Sequence, residues 1–400
     1  MKLFKSLLVA PAALGLLGPL GVNASEVKLN DVSNYSSSKT FMMNASTFED
    51  SSSVENSTSV KTLLAGGEGL VSDHDGGFSE TTTASFSADF AIGSEDGTNA
   101  GDSVMGIYGF QIDLNTSFTG EDSLDISIDA GVGGNGLSEL DLNEGGGGDD
   151  VLTVDGVAYT FPIGPITAFV GDNMDGSTLF NTACVYGGPS NNLDDCGNGN
   201  SAIGGGSGTA AGASVEIFDG FSAAIGYTGS GTTTSGLMTK EGTDAVAGQL
   251  SYTGDSFGGS VTVANIENFT STHGRNFVGL NGYWSPTDTG IVPSISAGYE
   301  AGDAQGLAQS EQWFVGLQWD EAGPGTFGAA VGSVGSYRGV HYALKDVYDP
   351  ELIMYEAFYS YPLNDGMTIT PLIYVKESDG ATGSKGNDLT GIMVKTSFSF

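Results

Sequence analysis

The chain has 400 residues, 64 of them glycine; only 15% are charged, and 48 Asp+Glu against 12 Lys+Arg give a formal charge of −36. A nucleic-acid partner is excluded, because phosphate backbones are held by clustered cations and Arg275 and Arg338 are the only arginines; anionic membrane surfaces are excluded on the same ground. A hydrophobic fraction of 39% is too high for a disordered acidic tail. Beyond residue 24 no run approaches the roughly 18 to 20 apolar residues of a spanning helix, so any membrane crossing must be made by strands.

Residues 1–24 read as a secretory signal. Lys2 and Lys5 form a cationic start, Leu7 to Leu20 is an apolar run broken by Pro11 and Pro19, and Val22-Asn23-Ala24 is a small-residue cleavage site before Ser25. Cleavage would remove two positive charges and no acid. Export permits a disulfide, and the only cysteines, Cys184 and Cys196, share one segment rich in Asn, Gly and Asp. A bond between them would close a ring of about 13 residues and stabilise it by roughly 3 kcal/mol in the chain-entropy model.

Residues 25–80, with Ser36 to Ser38, Ser51 to Ser53 and many Asn, Thr and Asp, read as a polar Ser/Thr/Asn-rich tether with little core of its own. From Thr81 onward the pattern changes to period two. Tyr108, Phe110, Ile112, Leu114 and Phe118 alternate with Gln111, Asp113, Asn115 and Ser117; after Thr119-Gly120-Glu121, Leu124, Ile126, Ile128, Ala130 and Val132 alternate with Asp125, Ser127 and Asp129. Weaker candidates lie at 82–92 and 163–171. Clear ones follow at 157–161, 215–217, 221–227, 246–252, 257–263, 278–284, 291–299, 313–319, 327–331, 353–361, 367–375 and 392–400. The spacing predicts about 16 strands.

Connection lengths test this independently. Short links are expected at 119–122, 162, 219–220, 254–255, 285–289, 320–325 and 362–365. Longer ones are expected near 93–105, 133–150, 172–210, 229–243, 267–275, 301–310, 334–351 and 377–388. Strict alternation of short and long is the pattern of an outer-membrane barrel, with turns on the periplasmic side and loops outside. In hydrocarbon an unpaired backbone group costs several kcal/mol, so the sheet must close on its first strand. The fold class is therefore all-β, a transmembrane antiparallel β-barrel spanning 81–400, apolar outside and polar inside. About sixteen strands enclose more volume than their own side chains fill. Small inward residues, Ser222, Ala224 and Gly226 or Gly328, Ala330 and Gly332, suit a wall that leaves room for water. Trp284, Trp313, Trp319, Tyr359 and Tyr361 are expected in the interfacial aromatic girdles.

Tyr108–Asp122, Tyr355–Pro371 and the terminal Leu389–Phe400 resemble cyanobacterial outer-membrane porins of the carbohydrate-selective class, best over residues 104–132 and 311–400. The resemblance implies a passive channel in the cell outer membrane carrying sugars or other small hydrophilic solutes, without catalysis or cofactor. By analogy it also implies a homotrimer. Many members carry an S-layer-homology domain and coiled coil, which residues 25–80 are too short and too polar to contain. In general porins, by resemblance, the third external loop folds into the lumen. Here that is the segment near 172–210, so Asp172, Asp175, Asp194 and Asp195 are expected at the constriction, or else on a solvated outer surface. Asp113, Asp125 and Asp129 are expected on the lumen wall, where carboxylates favour cations. Phe398 and Phe400, by resemblance, form the signal read by the barrel-assembly machinery, a role compatible with plain anchoring.

Gly145–Leu152 matches a single calcium β-roll repeat where several stacked copies are required, and Asp172-Asn-Met-Asp-Gly176 lacks the remaining ligands of a calcium loop; no metal site is expected. An enzyme would need a nucleophile and a carboxylate converging on His74, His273 or His341, which are scattered. Inorganic-ion uptake, iron included, is the alternative cargo, and a secreted β-rich adhesin the alternative class.

Overall fold

The computed structural model describes residues 81–97, 103–132, 137, 139, 140, 142, 150–197, 208–232, 235–239, 242–270, 273–287, 291–303, 309–335, 351–378 and 388–399. The leader, the tether, most of the single β-roll match, His74, Arg338, His341 and Phe400 lie outside them. Sixteen strands appear: β1 Thr82–Asp96, β2 Val104–Thr116, β3 Ser123–Val132, β4 Thr153–Ile163, β5 Ile166–Met174, β6 Gly208–Phe218, β7 Phe221–Gly229, β8 Asp244–Thr253, β9 Phe257–Thr270, β10 His273–Trp284, β11 Ser294–Asp303, β12 Ser310–Ala322, β13 Gly325–Ser333, β14 Ile353–Asn364, β15 Met367–Lys376 and β16 Leu389–Ser399. Each is antiparallel to its sequence neighbour, and β1 closes on β16 from Ser87↔Ser399 to Asp96↔Thr390, making a closed barrel.

Burial runs opposite to that of a water-soluble sheet. Along β8 and β9, Val246, Leu250, Val261 and Val263 are 47–62% exposed, whereas Gln249, Ser251, Ser260 and Thr262 are 4–6% exposed. In β11 Ser294, Ser296 and Glu300 are buried while Ile295 and Tyr299 are exposed. A surface of this kind is stable only against hydrocarbon. Ile112 lies on the outward row, opposite Phe86, and Ile126 lies opposite Leu114 and Val157. The Trp313 indole donates to Glu351, the Trp319 indole to the Ile291 carbonyl and the Tyr359 hydroxyl to the Ala322 carbonyl (2.8–2.9 Å), polar tips satisfied at the edges of the apolar band.

Three expectations are corrected. Phe118 is not in β2: the Asp122 carboxylate accepts the Ser117 hydroxyl and the Phe118 and Thr119 amides through Oδ1, turning the chain at Ser117, and accepts the Tyr159 hydroxyl through Oδ2 at 2.6 Å. That hydroxyl and the turn's donors hold the Asp122 carboxyl well below the usual carboxylate range. Ile291 precedes β11 and only caps Trp319. The supposed long loop at 267–275 is instead a continuation of β9 and β10, leaving only 271–272 between them. Above the apolar band both faces meet water, so strands continue there without hydrophobic alternation; Asn265 donates to Asn276 across this extension at 2.8 Å.

Candidate functional site

The segment after β5 folds into the barrel and crosses its inner wall. Gly176 lies against β7, where a Cβ on Gly226 would be 1.9 Å from the Gly176 carbonyl oxygen. Phe180 packs on Ala245, Ala247, Ala264, Ile266 and Phe277. The Asn181 amide donates to Gln249 Oε1 and its side chain to Thr253 Oγ1, both at 2.6 Å; the Val185 amide donates to Ser296 Oγ at 3.0 Å and the Gly187 amide to Gln318 Oε1 at 2.9 Å. Wall hydroxyls and amides thus satisfy the loop backbone, which buried chain requires. Tyr186 donates its hydroxyl to Glu356 Oε1 at 2.6 Å, with its ring 5.2 Å from Phe314 and 5.9 Å from Phe358. Burial and the facing Glu356 push the Tyr186 hydroxyl far above its ordinary pKa, so it stays a donor.

A second segment, between β3 and β4, also turns inward. Leu137, Leu140 and Leu142 are buried with Leu193, Cys196, Tyr186, Phe314, Met354, Phe358, Leu372, Tyr374 and Met393, an apolar core inside the lumen. Gly131 permits the approach: a Cβ there would meet the Leu142 carbonyl oxygen at 2.1 Å. Glu139, 1% exposed, ties this segment to its surroundings. Its carboxylate takes Lys376 Nζ on Oε1 and Asn192 Nδ2 on Oε2, both at 2.6 Å, and its carbonyl takes the Asn191 amide at 2.8 Å.

These contacts correct the reading of the small inward residues. Gly226 seats Gly176, Gly332 faces Leu193, and the space over Gly328 is filled by the Phe358 ring. They make room for protein, not for water.

The acids of the third external loop do not converge. Asp172 is in β5 and not in the loop; with Ala168 and Val170 it takes the outward row, paired with Val157 of β4 where the register with β6 shifts between Gly171 and Met174, and it accepts from Thr209 Oγ1 at 2.8 Å. Asp175 is exposed at the loop entrance, its carbonyl receiving Thr178. Asp194 is exposed and, with Asp195, belongs to the turn Asp194–Gly197. Cys184 and Cys196 are joined, so residues 184–196 form a covalent ring.

The wall carboxylates take the inward row of β2 and β3. Asp113 accepts Gln111 Nε2 and Ser127 Oγ at 2.7 Å; Asp125 accepts Asn115 Nδ2 at 2.5 Å and Ser123 Oγ at 2.8 Å; Asp129 accepts Thr153 Oγ1 at 2.7 Å. Asp113 and Asp125 are partly exposed, whereas Asp129 is 3% exposed. On the same wall Lys395 faces Asp89 at 3.6 Å, the two side chains 22% and 31% exposed. Among the described residues the cations are Arg275, Lys376 and Lys395, and all three take inward rows. Arg275 donates to Ser310 at 3.3 Å and lies 5.9 Å over the Phe277 ring. No cluster of His, Cys, Asp and Glu fit for a metal occurs among the described residues.

Glu139, Glu356, Lys376 and Tyr186 escape a reading by composition. The signal that reveals them is large apolar residues on inward rows, Phe314, Phe358, Leu372, Tyr374 and Met393, which a wall facing only water would not carry.

No family model and no curated relative matches the chain. Solved structures do. OprB of Pseudomonas putida aligns at a TM-score of 0.55 and 14% identity over 80% of this chain and 94% of its own. An anion-selective porin from Comamonas acidovorans aligns at 0.54 and 13% over 80% and 99%. OmpT, an outer-membrane protein of Vibrio cholerae, aligns in its trimer form at 0.54 and 10% over 80% and 100%. The chain shares the closed sixteen-stranded antiparallel β-barrel fold of these porins.

Proposed function

We propose that this outer-membrane barrel is a passive porin through which small hydrophilic solutes diffuse, with a weak preference for cations. The observation that carries the charge preference is the inner wall of β2 and β3, where Asp113 and Asp125 are partly exposed and receive hydrogen bonds from Gln, Ser and Asn. Neutral donors leave each carboxylate's charge uncancelled, and charge in a narrow passage is screened less than charge at the mouth. Lys395, against Asp89, keeps the preference weak. The fold shared with an anion-selective porin does not carry selectivity with it, because selectivity resides in wall side chains that 13% identity does not preserve.

Sugars are the expected organic cargo, on the strength of the resemblance at Tyr108–Asp122 and Tyr355–Pro371. Residues 1–24 direct export, residues 25–80 act as a polar tether, three copies assemble side by side in the lipid, and Phe398 with Phe400 presents the last strand to the barrel-assembly machinery. Reversal potential across a planar bilayer in a KCl gradient tests the charge reading: a cation-side potential supports it and an anion-side potential refutes it. Swelling of proteoliposomes in graded sugars tests the cargo; exclusion of monosaccharides would reject sugar passage. Removing Phe400 should lower membrane insertion and leave single-channel conductance unchanged.

A further inference from the structure

We propose that Glu139 is the positioning residue of the constriction, and that its ion pair with Lys376 seats the two inward segments as one unit. This rests on the reading of the lumen as a solute path. Three parts of the chain meet at this side chain: the segment between β3 and β4 that carries it, the end of β15 through Lys376, and the loop after β5 through Asn191 and Asn192. No covalent bond links the two segments among the described residues, yet Asn191 and Asn192 fall inside the ring closed by Cys184 and Cys196. A hold on them is therefore a hold on the ring, including Tyr186 at its other side, which donates to Glu356 of β14.

The burial is unequal. Glu139 is 1% exposed and Lys376 is 26% exposed. A carboxylate that deep is stable only while its charge is met, so loss of Lys376 drives Glu139 toward water and lifts both segments from the wall. The apolar core beneath keeps its composition but loses the clamp that orients the loops above it. The barrel is independent of this clamp, because its sixteen strands pair in an unbroken circuit. A positioning role thus predicts altered conduction in an intact barrel, which a merely structural role would not.

The test uses the full chain in planar bilayers and in detergent micelles. Lys376→Met should raise open-state conductance and replace a steady open level by a fluctuating one. The double variant Glu139→Gln with Lys376→Met removes both charges of the pair and should do the same, so a folding failure of the single variant does not spare the proposal. The exchanged pair, Glu139→Lys with Lys376→Glu, should restore the steady level. In micelles, subtilisin should cut the first two variants between residues 133 and 197 faster than the parent, while the SDS heat-modifiability midpoint stays fixed. Unchanged conductance and unchanged cleavage in the double variant would overturn the proposal, as would an exchanged pair that behaves like Lys376→Met. A parent protein that conducts nothing while the cleavage differences persist would overturn the diffusion reading and leave the clamp standing.

Discussion

Gly226→Ala puts the seating of the constriction loop to a direct steric test. The added methyl would lie 1.9 Å from the Gly176 carbonyl oxygen and 2.7 Å from its carbonyl carbon, where ordinary contact begins near 3.4 Å. Strand and loop must therefore separate by about 1.5 Å. Which of them moves is decided by what holds each. β7 is paired along its length with β6 and β8, and displacing it would break ladder bonds on both sides in a medium that offers no replacement. The loop's nearest anchors are the two hydrogen bonds of Asn181, worth about 1 kcal/mol each, and the Phe180 ring, worth roughly 2 kcal/mol of apolar burial. The loop yields. Single-channel recording should show a changed conductance for Gly226→Ala, and SDS heat-modifiability should show a barrel as stable as the parent. Gly248→Ala is the control, since its nearest neighbour, the Ala224 carbonyl oxygen, is 3.8 Å away. Parent-like conductance in Gly226→Ala with an intact barrel would refute the placement of the loop on β7.

Charge changes on the exposed wall should move selectivity in opposite directions: Asp113→Asn with Asp125→Asn should shift the KCl reversal potential toward zero, and Lys395→Gln should shift it further to the cation side. A unit charge about 4 Å from a passing ion in water is worth about 1 kcal/mol, so permeability ratios should change severalfold. Cys184→Ser with Cys196→Ser should cost the loop roughly 3 kcal/mol of ring closure, seen as open-level noise without loss of the barrel. At the turn closed by Asp122, the folded-state pKa lies below the ordinary carboxylate value, so the stability it contributes is complete above about pH 4 and is lost as pH falls through the depressed folded value. The heat-modifiability midpoint of the parent should drop in strong acid more than that of Asp122→Asn, and parallel curves would reject the assignment.

Much of the cylinder could be read from residue order, because lipid and water impose one rule on every strand: Ile126 out, Asp125 in. The rule fails where its cause is absent. Above the apolar band it no longer applies, so β9 and β10 run through the polar stretch around Glu267 and Asn276 that composition assigns to a loop, and Asp172 prolongs β5 on the outer row. It also fails inside. Alternation alone implies a wet lumen, yet Phe314, Phe358 and Tyr374 point into it beneath segments of the chain itself. Those inward aromatics were visible in the alternation as departures from a polar row. The Glu139 contacts were not visible, because a Gly-rich loop carries no periodicity from which to place its neighbours.

The seam between β1 and β16 joins residues at opposite ends of the barrel sequence, Ser87 with Ser399 and Phe90 with Thr396. Until the final strand has been synthesised, the first has no mate on that side, and a sheet with two raw margins has no home in oil. Closure therefore depends on the pairing farthest apart along the polypeptide, the kind of contact whose loop-closure entropy slows folding. The outward apolar rows of all sixteen strands thus become a usable lipid-facing surface only when the two ends of the ribbon meet.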